Sequence, residues 1–370
     1  MAVQITNYQC PACTGPLQFS AASGKLECEY CGSSFSTEEV EQLYAEKEER
    51  AAAAMAAAET EKKAWDSSDL TDDWGEDAEG MKAYSCPSCG AQLICDETTA
   101  ATACPYCGNP TVVPGQFRGS LRPDYVLPFK LSKDDAIARM KAHFKGKPFL
   151  PGTFMATHTL EKIQGVYVPF WLYDGAVSGD YLYKTTRVSV HHRGDYEITV
   201  TDHYLARRAG SMSFEKVPVD ASSKMPDDYM DSIEPFDYSA LEPFSTAYLP
   251  GFLADKYDVG VKESNKRADN RCIHTLESAI EDTLFGYTTR VPVEENIVAI
   301  DRGKVHYALL PVWLLNVNWE GKTHLFAVNG QTGRTAGNLP ISKSKALAFF
   351  AGLAVPLSIL GTVLAFLITG

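Results

Sequence analysis

Apolar and polar positions are distributed so that the 370-residue chain begins charged and helix-forming, becomes strand-rich in its middle and ends without charge. Early on, "STEEVEQLYAEKEERAAAAMAAAETEKKAW" sets Ser36 three residues ahead of Glu39, a capping box, and continues in strong helix formers. The pattern predicts a helix of roughly 28 residues, about 40 Å long, whose polar and alanine-rich faces suit a spacer or a modest coiled-coil surface. "DSSDLTDDWGEDAEG" follows, acidic and poor in branched apolar residues. That composition predicts a mobile linker, with Trp65 and Trp74 able to dock elsewhere.

From residue 116 the character changes. "LPFKLSKDDAIARMKAHFKG" reads as a short apolar run and a helix capped by Ser132 with Asp135 at the third position. "KIQGVYVPFWLYDGAVSGDYLY" reads as strands joined by a turn at Asp174 and Gly175, and "RVSVHHRGDYEITVTDHYLARR" as further strands about a His-Arg-Gly-Asp turn. A helix is expected at "ADNRCIHTLESAIEDTL", then strands in "VHYALLPVWLLNVNWEGKTHLFAVNGQTGR". Pro169/Trp171 in "VPFWLYD" and Pro311/Trp313 in "LPVWLLN" occupy matching places, the trace of a duplication inside an α+β domain. Core packing is the expected role of both tryptophans.

Residues 346–368 carry no charge, a run of 23 that at about 1.5 Å per residue crosses a hydrocarbon core of about 30 Å. Lys343 and Lys345 stand directly before it, and no charged side chain follows. By the positive-inside rule the preceding chain is expected in the cytoplasm, with this segment as a single-pass anchor in the cell membrane. Pro356, Gly352 and Gly361 are tolerated in such a helix and mark a packing face.

Charge changes the picture in one respect. Residues 1–115 hold 6 Lys+Arg against 19 Asp+Glu, the whole of the net −13, whereas residues 116–370 hold 28 of each. Nucleic-acid binding needs a basic footprint to neutralise phosphates, and this stretch offers the opposite.

That acidic region contains the most specific pattern in the chain. Cys10 and Cys13 form one CxxC pair and Cys28 and Cys31 another, 14 residues apart; Cys86, Cys89, Cys104 and Cys107 repeat the frame 76 positions later. Two such turns on facing hairpins bring four sulfurs to one point, which predicts two zinc ribbons, each with one structural zinc ion. Iron in a rubredoxin-like site meets the same description. No histidine precedes His143, so the ligands must be all cysteine, and "MAVQITNYQC" lacks the regions of a secretory signal, which argues for reduced thiols rather than disulfides. Each ribbon is expected to depend on its own metal, so that losing one ligand unfolds one ribbon. Cys95 and Cys272 stand outside the frame, the second as a buried helix residue.

Phosphate-loop, HExxH, GxSxG and GxGxxG patterns are all missing, and the chain is expected not to be an enzyme. His191 and His192, with Asp195, Asp202 and His203 nearby, form the one polar cluster, but neighbours on a strand face opposite ways and could not easily share a ligand. The expected fold class is α+β. A first ribbon at 1–36 is followed by a helical spacer and acidic linker at 37–82, a second ribbon at 83–115, an α+β domain at 116–342 and a transmembrane helix at 346–368.

With the paired cysteine frames, "GVYVPFWLYDG", "KVPVDASSKMPDDYMDSIEPFDYSALEPFSTAYLPGFLADKYDV", "YALLPVWLLN" and "FAVNGQTGR" resemble the bacterial membrane-anchored double zinc-ribbon proteins over nearly the whole chain. These are also called transcription factor IIB-type zinc-ribbon proteins, and some carry a replication-restart (primosomal) helicase label. The lack of a phosphate loop argues against a motor here. The resemblance implies a membrane-stress neighbourhood, with phage-shock-protein-A-like and stomatin/flotillin-like proteins as partners. The expectation is a membrane-tethered, non-enzymatic adaptor presenting protein-binding surfaces. The alternative is a nucleic-acid-binding protein of replication or transcription.

Overall fold

Runs rich in Val, Tyr and Trp supply the strands of this protein, and helices both polar and apolar complete a mixed α+β structure. The computed structural model describes all residues except 1–7, 12–14, 22, 61–62, 79, 97, 100, 102, 116–119, 294–295 and 370. In chain order the elements are β1 (Leu17–Ser20), β2 (Lys25–Cys28), β3 (Ser34–Phe35), α1 (Thr37–Thr60), β4 (Lys82–Ser85), β5 (Gln92–Cys95), β6 (Val113–Gly115), β7 (Tyr125–Val126), α2 (Lys133–Phe144), α3 (Thr157–Leu160), β8 (Gln164–Arg193) and β9 (Tyr196–Asp220). They continue as α4 (Asp227–Ile233), β10 (Glu242–Pro243), β11 (Leu253–Asp255), α5 (Val261–Asp282), β12 (Thr289–Pro292), β13 (Ile297–Trp319), β14 (Lys322–Asn329), β15 (Thr335–Gly337) and α6 (Lys343–Thr369). Two compact units result: Met1–Ala64, Ala176–Met212 and Ile273–Arg302 make the first, and Trp65–Gly175, Ser213–Cys272 and Gly303–Gly370 the second.

In the first unit, β1, β2 and β3 form a small antiparallel sheet with Leu17 opposite Cys28 and Leu26 opposite Phe35. Helix α1 starts at the expected capping box, Glu39 N donating to Ser36 Oγ (3.2 Å) and Ser36 N to Glu39 Oε2 (2.7 Å). It is described to Thr60, and residues 61–62, which the pattern also assigns to it, lie outside the described residues. Nor does it stand free: Tyr44 accepts a hydrogen bond from Gln9 N (2.6 Å), and Arg50 pairs with Asp180 (3.2 Å), which Arg207 also grips (2.7 Å). The turn predicted between β8 and β9 falls at Gly194 and Asp195, where Gly194 takes φ +63°.

In the second unit the strand order is β10-β7-β13-β8-β11-β5-β4-β6, with β14 and β15 continuing from β13. Period-two alternation along β13 feeds two cores. Leu310, Val312 and Leu314 pack with Phe170, Leu172, Met230 and Ile233 on one face. Trp313, Leu315 and Val317 pack with Ala136, Met140 and Phe144 of α2 on the other. The capping box of α2 is formed as expected, Asp135 N donating to Ser132 Oγ (3.2 Å). Both tryptophans of the repeated phrase are core residues, Trp171 donating to Val259 O (2.9 Å) and Trp313 to Leu131 O (3.2 Å).

Two expectations are corrected. No turn forms at Asp174 and Gly175, because β8 runs straight through them. The Asp174 side chain is engaged by Lys216 N (2.7 Å) and His306 Nε2 (3.2 Å), and Gly303 lies so close that a Cβ there would sit 2.3 Å from Asp174 O. The chain after Trp65 is not a mobile linker either. Trp65 is buried and donates to Asp269 Oδ1 (2.9 Å), Asp66 exchanges backbone hydrogen bonds with Gly303 and Val305, and Trp74 donates to Ser120 O (2.7 Å) beside the Phe244 ring. Two indoles bury enough apolar surface to fix a segment whose acidic residues alone could not.

The C-terminal helix begins at Lys343, three residues before the uncharged run. Its base is fastened to the body: Ser342 N donates to Phe149 O (2.8 Å), Lys345 Nζ to Leu150 O (2.7 Å), and the Phe149 and Phe349 rings meet edge to face. Among the described residues this is one helix long and apolar enough to cross a membrane, and its apolar window is unburied.

Candidate metal centres

Every CxxC pair uses the same local device. The first cysteine's N–H reaches the carbonyl five residues on: Cys10 to Gly15 (2.6 Å), Cys28 to Ser33, Cys86 to Ala91 and Cys104 to Asn109 (each 2.9 Å). In three of them the glycine after the second cysteine turns back to the first cysteine's carbonyl, Gly32 to Cys28, Gly90 to Cys86 and Gly108 to Cys104 (2.9 Å). Those glycines take φ of +71°, +74° and +72°, left-handed values that glycine adopts without the Cβ penalty. In the three pairs described at both cysteines the two sulfurs join one group, so the repeat seen in the sequence is also a repeat of hydrogen bonds.

In the second unit, Cys86, Cys89, Cys104 and Cys107 converge with all four Sγ atoms within 4.8 Å of one another; Cys86 to Cys107 and Cys89 to Cys104 both measure 3.6 Å. In the first unit, Cys10, Cys28 and Cys31 converge in the same way, with Cys10 and Cys31 3.6 Å apart. Cys13, predicted as the fourth member, lies outside the described residues. Tetrahedral coordination at a metal–sulfur length of about 2.3 Å sets sulfurs about 3.8 Å apart, so both groups have the size of a site for one metal ion.

Ionisation points the same way. Burial resists the charged form of Cys86, but the amides of Cys89 and Ser88 outweigh it and bring that thiol down to about 7. Burial drives Cys104 well above the ordinary thiol range, helped by the nearby Cys89 sulfur and opposed by the amides of Cys107 and Tyr106. Thiolates crowded at one point repel one another, so holding all four sulfurs ionised would need a cation.

The second centre is built into the sheet. β5 pairs with β11, Leu93 opposite Asp255 and Ile94 opposite Ala254, and Cys86 and Cys104 belong to the same apolar core as Val166 and Phe170. Asn316 on β13 donates to the Tyr106 carbonyl between Cys104 and Cys107. Asp255, buried beside Tyr106, accepts from Ser222 Oγ (2.6 Å), and burial pushes its carboxyl up to about 7. Asn316, Asp255 and Ser222 were not singled out from the sequence, since nothing in their spacing ties them to the cysteines 115 and more residues away.

The remaining candidates lie elsewhere. Cys95 is buried and donates to Thr99 O (3.2 Å), and Cys272 is buried in α5, its thiol raised by burial to about 11. Neither belongs to a cysteine group. His191 and His192 are exposed on successive positions of β8, with His192 Nε2 3.5 Å from Glu197.

No family model matches this chain, and no solved structure matches it. A protein of Bacillus subtilis (strain 168), described as the uncharacterized protein YdjG, is 35% identical over 321 residues, an alignment that spans 74% of this chain and 94% of that protein. Identity at that level over so much of both sequences makes this chain a member of the YdjG family.

Proposed function

We propose that this protein is a membrane-tethered, non-enzymatic adaptor in which two structural zinc ions, held by Cys10, Cys13, Cys28 and Cys31 and by Cys86, Cys89, Cys104 and Cys107, shape zinc-ribbon surfaces for partner proteins. The carrying observation is that the second cysteine group and the unburied apolar helix α6 belong to one compact unit. Metal would supply folding free energy that the small hairpins of the first unit cannot draw from an apolar core, and would fix the second group within its sheet. Spanning the membrane would raise the effective concentration of these surfaces for partners gathered there. The two lysines ahead of the span support an orientation with the ribbons on the cytoplasmic side. Phage-shock-protein-A-like and stomatin/flotillin-like proteins are the partners to test first, on the family resemblance.

Detergent purification of the full chain from native membranes tests the reading. Protein partners should co-purify with the native protein and be lost from Cys86→Ser, which should stay in the membrane fraction. Ribbon cysteines should be shielded from impermeant thiol reagents applied outside the cell. Partner capture indifferent to metal, external labelling of the ribbons, or DNA-stimulated ATP hydrolysis by a homogeneous preparation would each contradict it.

A further inference from the structure

The base of α6 is not a loose tether. Lys345 Nζ is fixed to Leu150 O, and the Phe149 ring lies 5.2 Å from that of Phe349, which is one helical turn into the uncharged run. With the two ring centres 5.2 Å apart, Phe149 lies within about 5 Å of whatever depth Phe349 occupies in a bilayer. Pro148 and Lys147, immediately before it and both exposed, then lie at headgroup level. Ile341, 66% exposed just ahead of the helix, adds an apolar side chain at the same end.

Charge selects the kind of lipid. Although the chain carries −13 overall, residues 136–160 and 321–370 contain no Asp or Glu at all. Within these two acid-free segments, Lys145 and Lys147 flank the turn at Gly146, and Lys343 and Lys345 open the helix. Four cations are thus carried by the two segments that join where the helix leaves the body, along with two exposed or half-buried apolar side chains. Such a cluster matches an anionic leaflet, with each lysine near the surface strengthening the contact about fivefold.

We propose that residues 145–149, with Lys343 and Lys345, form a docking surface for the anionic phospholipid headgroups around α6, so that this face of the second unit lies flat on the bilayer. The inference rests on the membrane-spanning reading of α6. Its test uses the full chain in nanodiscs of phosphatidylcholine alone or mixed with phosphatidylglycerol, with photoreactive benzoylphenylalanine at Val355, inside the helix, or at Pro148. Cross-linking to lipid at Val355 should occur in both compositions, and at Pro148 severalfold more with phosphatidylglycerol. The triple variant Lys145→Gln, Lys147→Gln, Lys343→Gln should lose that increase while keeping its Val355 cross-link and its metal content; Lys345 stays because it holds Leu150. Cross-linking at Pro148 that is absent, or insensitive to phosphatidylglycerol and to lysine removal, while Val355 still reacts, overturns the docking surface alone. Loss at Val355 overturns the span and the docking surface together.

Discussion

Serine at Cys86 and serine at Cys10 remove the same ligand from two copies of the same frame, yet the structure predicts different damage. Four-thiolate zinc binding is worth about 10–16 kcal/mol at neutral pH, so losing one of four ligands forfeits on the order of 3–4 kcal/mol before any rearrangement. In the first unit that loss falls on a three-stranded sheet whose buried side chains near the metal group are chiefly Cys10, Cys28 and Leu26. Little remains there to hold β1–β3, and hydrogen exchange should rise steeply from about Tyr8 to Phe35 and little elsewhere. In the second unit the loss falls on a core that also contains Leu93, Val166, Phe170 and Leu310, so β4 and β5 should not simply detach. Because β5 is hydrogen-bonded to β11, and β11 to β8, the disturbance should pass into Leu253–Asp255 and the Val166 and Tyr167 positions opposite them. A whole domain holds about 5–15 kcal/mol, so 3–4 kcal/mol should raise exchange in those strands measurably. Exchange read by mass spectrometry on the two variants decides the matter. If Cys86→Ser accelerated exchange only within residues 83–115 and left β11 untouched, the second centre would be an appended module and the reasoning from strand pairing would be refuted.

Two other perturbations follow from the same packing. Trp65→Ala should destabilise the second unit by about 3–5 kcal/mol in urea unfolding, from lost indole burial and the lost bond to Asp269, and should render residues 66–74 open to protease; a change under 1 kcal/mol would mean the segment is not docked. Asp255 has its carboxyl raised to about 7 against an unfolded value of about 3.9, so its contribution is fully present below about pH 4 and is lost as pH rises through 7, on the order of 4 kcal/mol in all. Unfolding of the native protein at pH 5 and pH 8, compared with Asp255→Asn, should show the variant gaining relative stability at the higher pH; an equal difference at both would show that Asp255 is not buried as described.

The cysteine frame was legible because its chemistry is local: a CxxC turn needs few residues, and spacing alone sets which sulfurs can meet. Helix starts at Ser36 and Ser132 were legible for the same reason, each cap being a contact across three residues. The Asp174 and Gly175 misreading shows the limit. A turn signal is a propensity, and here the carboxylate is claimed by His306 and by the backbone of Lys216, partners far along the chain. Trp65 and Trp74 were visible as residues that could dock, but their acceptors, Asp269 and the Ser120 carbonyl, are set by tertiary packing. The union of β5 with β11 was hidden too, since the strand Leu253–Asp255 is only three residues long and carries no pairing signal.

Metal content and coordination of the full chain, purified under reducing conditions, test the central claim most directly. Elemental analysis should give two zinc ions per chain, and X-ray absorption should give four sulfur neighbours at about 2.3 Å and no nitrogen or oxygen neighbours. Cys10→Ser and Cys86→Ser should each weaken the binding of one ion and leave the other site intact. A stoichiometry near one or near zero, or a first shell containing nitrogen or oxygen, would contradict the account.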